Sequence, residues 1–238
     1  MNVFITGGSR GIGRVIAQRF ARDGAERIAI GYLRNDAAAE ATAAELRAAG
    51  AEVMLVRGSV GSERVLEEVA TLGPLDVLVH NAATGVVRRA LETEDKHWDW
   101  TLNANARALL SLVRVAAPQM PAGSSIVAIS SLGSQRVLDN YSLIGTSKAA
   151  LEALVRYLAV ELAPEIRVNA VSAGVVETGA LDHFPNRDEM LRMGAANPVG
   201  RLVAPEDVAG AVAFLCSPDA EMVRGHVLVV DGGFSLRV

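Results

Sequence analysis

Short apolar runs and amphipathic stretches take turns along the whole chain, and that alternation confines it to one class of fold. The runs Val3–Ile5, Arg27–Tyr32, Glu52–Arg57, Asp76–His80, Ser125–Ser130, Val168–Ser172 and His226–Val230 have the length and apolar content of strands. Helical patterns lie between them at Gly11–Arg22, Asp36–Ala49, Ser62–Leu72, Trp98–Gln119, Leu143–Leu162 and Pro205–Cys216. A strand, a covering helix and a short connection lead to a parallel neighbour by a right-handed crossover. The expectation is therefore an α/β chain: one Rossmann-type domain over residues 1–238, a doubly wound parallel sheet of about seven strands with helices on both faces. Half of its 238 residues are hydrophobic, enough for a single large core. Gly24, Gly50 and Gly73 fall just past helix ends, where a left-handed cap is wanted. One stretch breaks the rhythm: Val175–Gly200, with Pro185 and Pro198, is expected to form a lid over a site.

Composition removes several classes of function. A net charge of −4 gives no reason to expect nucleic acid. Cys216 is the single cysteine, so no internal disulfide forms, and a reducing compartment fits. The first strand begins at residue 2, leaving no room for a targeting peptide, and no run approaches the ~18 apolar residues of a membrane span. A cytoplasmic, soluble protein without membrane or nucleic-acid partners is the expectation. His97, His183 and His226 are scattered and form no metal set; His80 ends a buried strand and reads as a satisfied core histidine.

Thr6-Gly7-Gly8-Ser9-Arg10-Gly11-Ile12-Gly13 joins the first strand to the first helix with glycines spaced Gly-x3-Gly-x-Gly. Bare backbone N–H groups at a helix N-terminus receive a pyrophosphate, and a Cβ in such a turn would block the approach. Gly7, Ser9, Arg10, Gly11, Ile12 and Gly13 are thus candidate cofactor ligands. The second strand ends without an acid for a ribose 2′-hydroxyl, whereas Arg34 and Arg10 offer planar forks for a 2′-phosphate, which favours NADPH. Asp36 reads as the N-cap of the alanine-rich helix behind it. Ser59 and Val60 follow the third strand, where an adenine would lie, and Asn81, Ala82 and Ala83 follow the fourth, where small residues leave space for a nicotinamide ribose.

The chemistry-bearing groups come later. Ser131 closes the fifth strand, Tyr141 lies ten residues beyond it, and Lys148 seven beyond Tyr141 in a helix. Positions seven apart share a helix face. A lysine ammonium there is expected to pull a tyrosine below its reference value of about 10 and make it a usable acid. Lys148 is also placed to hold the cofactor ribose, and Asn105 to tie Lys148 to a water chain.

TGGSRGIG, the Asn-Ala-Ala after the fourth strand, Asn105, Ser131, and a Tyr followed by Lys together resemble the short-chain dehydrogenase/reductase superfamily over the whole chain, through the closing Val230-Asp231-Gly232-Gly233. That superfamily's usual Tyr-x3-Lys would need tyrosine at 144, where this chain has Ile144; Tyr141 and Lys148 give the Tyr-x6-Lys of the enoyl-acyl-carrier-protein reductases. SSLGSQRVLDNYSLIGTSKAALEALVRYLAVELAP, HWDWTLNANARALL and DHFPNRDEM are similar to the NADPH-dependent type III enzymes of that branch. The resemblance implies Tyr141, Lys148, Ser131 and Asn105 as the catalytic set, with Gly174, Val176 and Thr178 after the sixth strand joining the cofactor ligands. Two departures stand out: Ser131 replaces the first tyrosine of the best-known enoyl reductases, and Ala83 and Ser59 replace the superfamily's usual Gly and Asp.

The implied activity is reduction of the C2=C3 bond of an enoyl thioester in fatty-acid or related acyl-chain synthesis. A 3-oxoacyl or other carbonyl reductase, a specialised natural-product ene/keto reductase, and a silent NADP-binding regulator remain as alternatives, the last disfavoured because both Tyr and Lys are present. Arg88, Arg89, Arg187, Arg192 and Arg201 form either a basic rim for an acyl carrier protein or coenzyme A, or a solvated face. Trp98, Trp100 and Leu102 read as a packed helix face. Apolar excess on Trp98–Gln119 and Leu143–Leu162 points to a homo-oligomer, a homotetramer by resemblance and at least a homodimer.

Overall fold

The computed structural model describes residues 1–179, 181 and 186–236. Seven strands, β1 (Asn2–Thr6), β2 (Arg27–Tyr32), β3 (Glu52–Arg57), β4 (Val77–His80), β5 (Ser124–Ser131), β6 (Ile166–Ala173) and β7 (Val227–Val230), form one sheet in the order β3-β2-β1-β4-β5-β6-β7. Every pairing is parallel. The helices are α1 (Gly11–Arg22), α2 (Asp36–Ala48), α3 (Glu63–Ala70), α4 (Asp95–Leu102), α5 (Ala108–Ala116), α6 (Ser142–Glu161), α7 (Arg187–Ala195) and α8 (Pro205–Cys216).

Successive strand side chains point to opposite faces, so each apolar strand feeds two cores at once. Val3, Ile5, Ile28, Val79 and Val127 pack beneath Ile16 and Phe20 of α1, Leu46 of α2, and Val212 and Leu215 of α8. Phe4, Ala29, Leu78, Ile126 and Val168 pack beneath Val65 of α3, Leu109 and Leu112 of α5, and Leu151 and Val155 of α6. The expected doubly wound architecture follows from this two-sided burial. Gly24, Gly50 and Gly73 have φ of +87°, +98° and +79°, the left-handed caps their positions suggested.

Four expectations are corrected. The helix expected over Trp98–Gln119 begins earlier, at Asp95, and is interrupted by a π-helical turn at Asn103–Arg107, after which Ala117–Gln119 tightens into a 3₁₀ turn at Pro118. Trp98 and Trp100 are half exposed (47% and 52%) rather than packed, because α4 turns inward only at Thr101. Asn35, not Asp36, caps α2: its Oδ1 accepts from the Ala38 N–H at 2.9 Å, while Asp36 is taken by the Tyr32 hydroxyl (2.8 Å) and Arg57 (3.4 Å). The 175–200 stretch is not irregular throughout, since Arg187–Ala195 is the helix α7. Its residues 180 and 182–185, which include His183 and Pro185, lie outside the described residues.

Candidate active site

Strand order reverses direction between β1 and β4, and ligands of open α/β sheets bind beyond the strand ends at such a point. The glycine loop leaves β1 there. Gly7 has φ +66°, and a Cβ on Gly13 would collide with the Gly7 carbonyl, so the loop folds back tightly onto the start of α1. Gly8 N–H donates to Gly31 O (3.0 Å), and Ser9 O accepts from the Thr42 hydroxyl (3.0 Å), so the loop is held on both sides. Arg10, the N-cap of α1, makes no side-chain cap, and the first turn contains no acid. The partly exposed opening N–H groups of α1 at Gly11 and Ile12 therefore lie uncapped by a side chain at the helix's positive end, a fit for pyrophosphate. Gly13→Ala should abolish coenzyme binding, read by nucleotide fluorescence titration, and lower the melting temperature by several degrees.

Asn81 and Ala82, just past β4, are tied to this loop. Asn81 Nδ2 donates to the carbonyls of Thr6 and Gly7, both at 3.1 Å. Thr6 Oγ1 accepts the N–H groups of Asn81 (3.0 Å) and Ala82 (2.9 Å), which leaves its own hydrogen for His80 Nδ1 at 3.3 Å. His80 Nε2 then donates to Asn105 O at 3.0 Å, which fixes the tautomer. Thr178 lies against Gly11, Gly174 against Asp231, and Val176 bridges to Val203. Ala83, Ser59, Arg10 and Arg34 are exposed around the same strand ends, and Val60 is half-buried.

Burial lowers His80 from 6.5 to about 4. Because the folded value lies below the unfolded one, its contribution to stability is whole above pH 6.5 and is lost as pH falls toward 4 and below. Protonation would also aim a second ring N–H at Thr6 Oγ1, which already accepts two. Urea unfolding from pH 7 to 4 should show wild type losing about 3 kcal/mol more than His80→Asn. Parallel curves would remove His80 as the cause.

At the other end, Ser131 closes β5 and Tyr141 is the N-cap of α6, with φ −105° and ψ 11°. Tyr141 OH donates to Ser131 Oγ at 3.4 Å, and the Gly133 N–H donates to the same oxygen at 3.3 Å. Lys148 is buried within α6, where its Nζ donates to Ile129 O at 2.7 Å. Burial drags it from 10.5 to about 8, with the Glu152 carboxylate opposing that drop. The expectation that Lys148 would depress Tyr141 is overturned. Burial raises the phenol above 10.0, and the Ser131 bond opposes the rise. The physical reason is that Tyr141, at the N-cap ahead of the helix, is itself buried, and that burial outweighs what would lower it.

Asn105 is not joined to Lys148 directly. From the π turn, its Oδ1 accepts from Thr84 N–H (2.8 Å), and its Nδ2 donates to Thr84 O and Ser147 Oγ, both at 2.8 Å. It thereby clamps the segment after β4 to α6. No group of three or more metal-ligating side chains occurs among the described residues, and no helix there is long and apolar enough to cross a membrane.

A family profile described as "Enoyl-(Acyl carrier protein) reductase" matches residues 7–235. A short-chain dehydrogenase from Burkholderia cenocepacia, solved with NADP, superposes with a TM-score of 0.89 at 32% identity, covering 98% of this chain and 97% of that one. The chain belongs to the short-chain dehydrogenase/reductase superfamily. It is an NAD(P)-dependent oxidoreductase of that fold. Among its relatives, 1-cyclohexenylcarbonyl-CoA reductase from Streptomyces collinus is 37% identical over 98% of this chain and 86% of its own length. A promiscuous reductase that catalyses keto-reduction in lugdunomycin biosynthesis superposes with a TM-score of 0.88 at 32% identity, covering 98% and 97% of the two chains.

This short-chain reductase also carries polar residues that sequence reasoning passed over. Glu152, buried one turn beyond Lys148, accepts from the hydroxyls of Ser130 (2.6 Å) and Ser134 (2.5 Å) and from Gln135 Nε2 (3.3 Å). It anchors the turn behind Ser131. An acid at i+4 from Lys148 on an otherwise apolar helix face was the available signal. Arg57, at the end of β3, was missed because its partner Asp36 is remote in sequence.

Proposed function

We propose that this reductase adds hydride from NADPH to C3 of a 2-enoyl thioester, saturating the C2=C3 double bond. The observation that carries this reading is the Ser131–Tyr141 hydroxyl pair, whose phenol burial pushes up. A phenol raised above 10.0 remains a hydrogen-bond donor at neutral pH but releases its proton reluctantly. An enolate oxygen needs donors around its charge, whereas the alkoxide formed from a ketone must take a proton outright. The pair suits the first demand better. Each donor aimed at such an oxygen contributes ~3 kcal/mol.

The reading is supported by the Streptomyces collinus relative, whose name is that of a reductase acting on an unsaturated acyl-CoA. NADPH, when bound, supplies the hydride. The uncapped N-terminus of α1 would hold its pyrophosphate, and exposed Arg10 and Arg34 its 2′-phosphate. Asp36 is engaged by Tyr32 and Arg57, so the acid nearest the tip of β2 is already committed. Arg34→Ala should raise KM for NADPH roughly tenfold or more, the scale of one charge-assisted hydrogen bond, and leave NADH nearly unchanged. Equal loss with both would defeat the assignment.

Of the five arginines in the expected rim, Arg187 pairs with Glu177 and Asp188, and Arg201 with Asp207. Arg88, Arg89 and Arg192 are exposed and left to meet an acyl carrier protein or the phosphates of coenzyme A. The deciding assay compares NADPH oxidation with crotonyl and acetoacetyl thioesters. Crotonyl should turn over much faster; the reverse would hand the function to ketone reduction, as in the lugdunomycin reductase. Exposed Tyr157 (70%) and Val160 (78%) on α6 support a homotetramer, and a monomer by light scattering at micromolar concentration would refute it.

A further inference from the structure

We propose that Gly133 and Gly145 are positioning residues that form the seat holding the Tyr141 ring against Ser131. The inference rests on the reading that the Ser131–Tyr141 pair donates to substrate, but part of its test does not. A Cβ added to Gly133 would lie 2.5 Å from both Cδ1 and Cε1 of Tyr141, so the ring occupies the space a side chain would take. A Cβ added to Gly145 would lie 2.6 Å from the Gly133 carbonyl oxygen and 3.7 Å from Tyr141 Cδ1. Neither glycine is among the positive-φ residues. Backbone freedom therefore does not explain them. Gly145 also sits inside α6, where glycine weakens a helix and needs a packing reason.

The surrounding chain aims the ring into this seat. Asn140, immediately before Tyr141, has φ +60°, the left-handed conformation that asparagine tolerates better than most residues. Tyr141 N–H donates to Leu138 O (3.2 Å), and Tyr141 O accepts from Gly145 N–H (2.7 Å), so the reversal is bonded on both sides. Tyrosine is a poor N-cap, and here it makes no cap bond; its side chain turns back over the Ser131 turn instead. Ser131 Oγ then accepts from both Gly133 N–H and Tyr141 OH. A hydroxyl oxygen with both lone pairs used has only its own hydrogen left to offer. The seat thus converts two hydroxyls into one oriented donor, and filling it with a methyl group would part them.

The test is a cycle built from Gly133→Ala, Gly145→Ala and Tyr141→Phe, assayed with crotonyl thioester and NADPH. Gly133→Ala should lower kcat at least tenfold with KM for NADPH within twofold, yet lower it less than twofold when Tyr141→Phe is already present. Coenzyme-free protein labelled with fluorotyrosine gives resonances for Tyr32, Tyr141 and Tyr157, and Gly133→Ala should move that of Tyr141 alone. Its titration midpoint should fall toward that of an ordinary tyrosine. If Gly133→Ala folds poorly, Tyr141→Ala should recover its melting temperature, and Gly145→Ala should reproduce the resonance shift. An unmoved Tyr141 resonance, an equal kcat loss in both backgrounds, or no recovery by Tyr141→Ala would each overturn the seat. Absence of crotonyl turnover in the wild type would instead strike the enoyl reading, leaving the resonance and melting arms to judge the seat.

Discussion

Tyr141→Phe is expected to lower kcat on crotonyl thioester about a hundredfold, the scale of ~3 kcal/mol for one oxyanion donor. The ring stays in place, so packing and the melting temperature should change little, and the dissociation constant for NADPH should hold within twofold. What disappears is the hydroxyl that donates to Ser131 Oγ at 3.4 Å. Ser131 then becomes free to rotate its hydrogen, and Ser131→Ala should cost a similar factor. Because the two act as one unit, the double variant should lose little more than either single one. Multiplying losses in the double variant would show two independent donors. A kcat unchanged by Tyr141→Phe would remove the phenol from the chemistry altogether.

Lys148→Met should abolish useful turnover and weaken coenzyme binding while making the free protein more stable. Lysine ordinarily titrates at 10.5, and in this fold at about 8. Below pH 8 both folded and unfolded chains carry the proton, and the fold bears the whole cost of burying the charge, about 3 kcal/mol. Between pH 8 and 10.5 the folded chain sheds its proton first and that cost fades, so wild-type stability should climb over this interval. Methionine keeps the bulk, removes the charge and gives up the bond to Ile129 O, worth about 1 kcal/mol. A net gain of about 2 kcal/mol at pH 7, vanishing by pH 10.5, is the expected outcome by urea denaturation. A Met variant less stable than wild type at pH 7 would mean that the buried ammonium is well compensated.

The sheet was readable in the chain because short, almost wholly apolar runs leave few choices once helices separate them. Val3, Phe4 and Ile5 alternate between two cores, and the order of elements then forces parallel crossovers. The glycine loop was readable for a steric reason that is local to eight residues. What escaped were arrangements set by partners distant in sequence. Asp36 looked like an N-cap until β3 brought Arg57 beside it. Tyr141 and Lys148 looked like one helix face, but Asn140 turns the chain just before the helix begins, and no periodicity reveals a left-handed φ. The tryptophans of α4 looked like core because hydrophobicity alone does not say which way a short helix faces.

The π turn at Asn103–Arg107 has a consequence for how this region tolerates insertions and deletions. A π turn carries more residues per revolution than an α-helix, so it shifts the angular phase of everything on one side relative to the other. Each helical residue advances the backbone by about 100°. Deleting one residue between 103 and 107 would relax the wide turn to α-helix and leave α4 close to its present angle, because the shorter count and the larger step per residue offset each other. What would be lost is the wide turn itself, from which Asn105 meets Thr84, Ser147 and His80. A deletion within α4 or α5, with no wide turn to absorb it, would swing Thr101 out of the interior by that angle. The π turn therefore absorbs a one-residue change in the phase of the helix, but not in the position of Asn105.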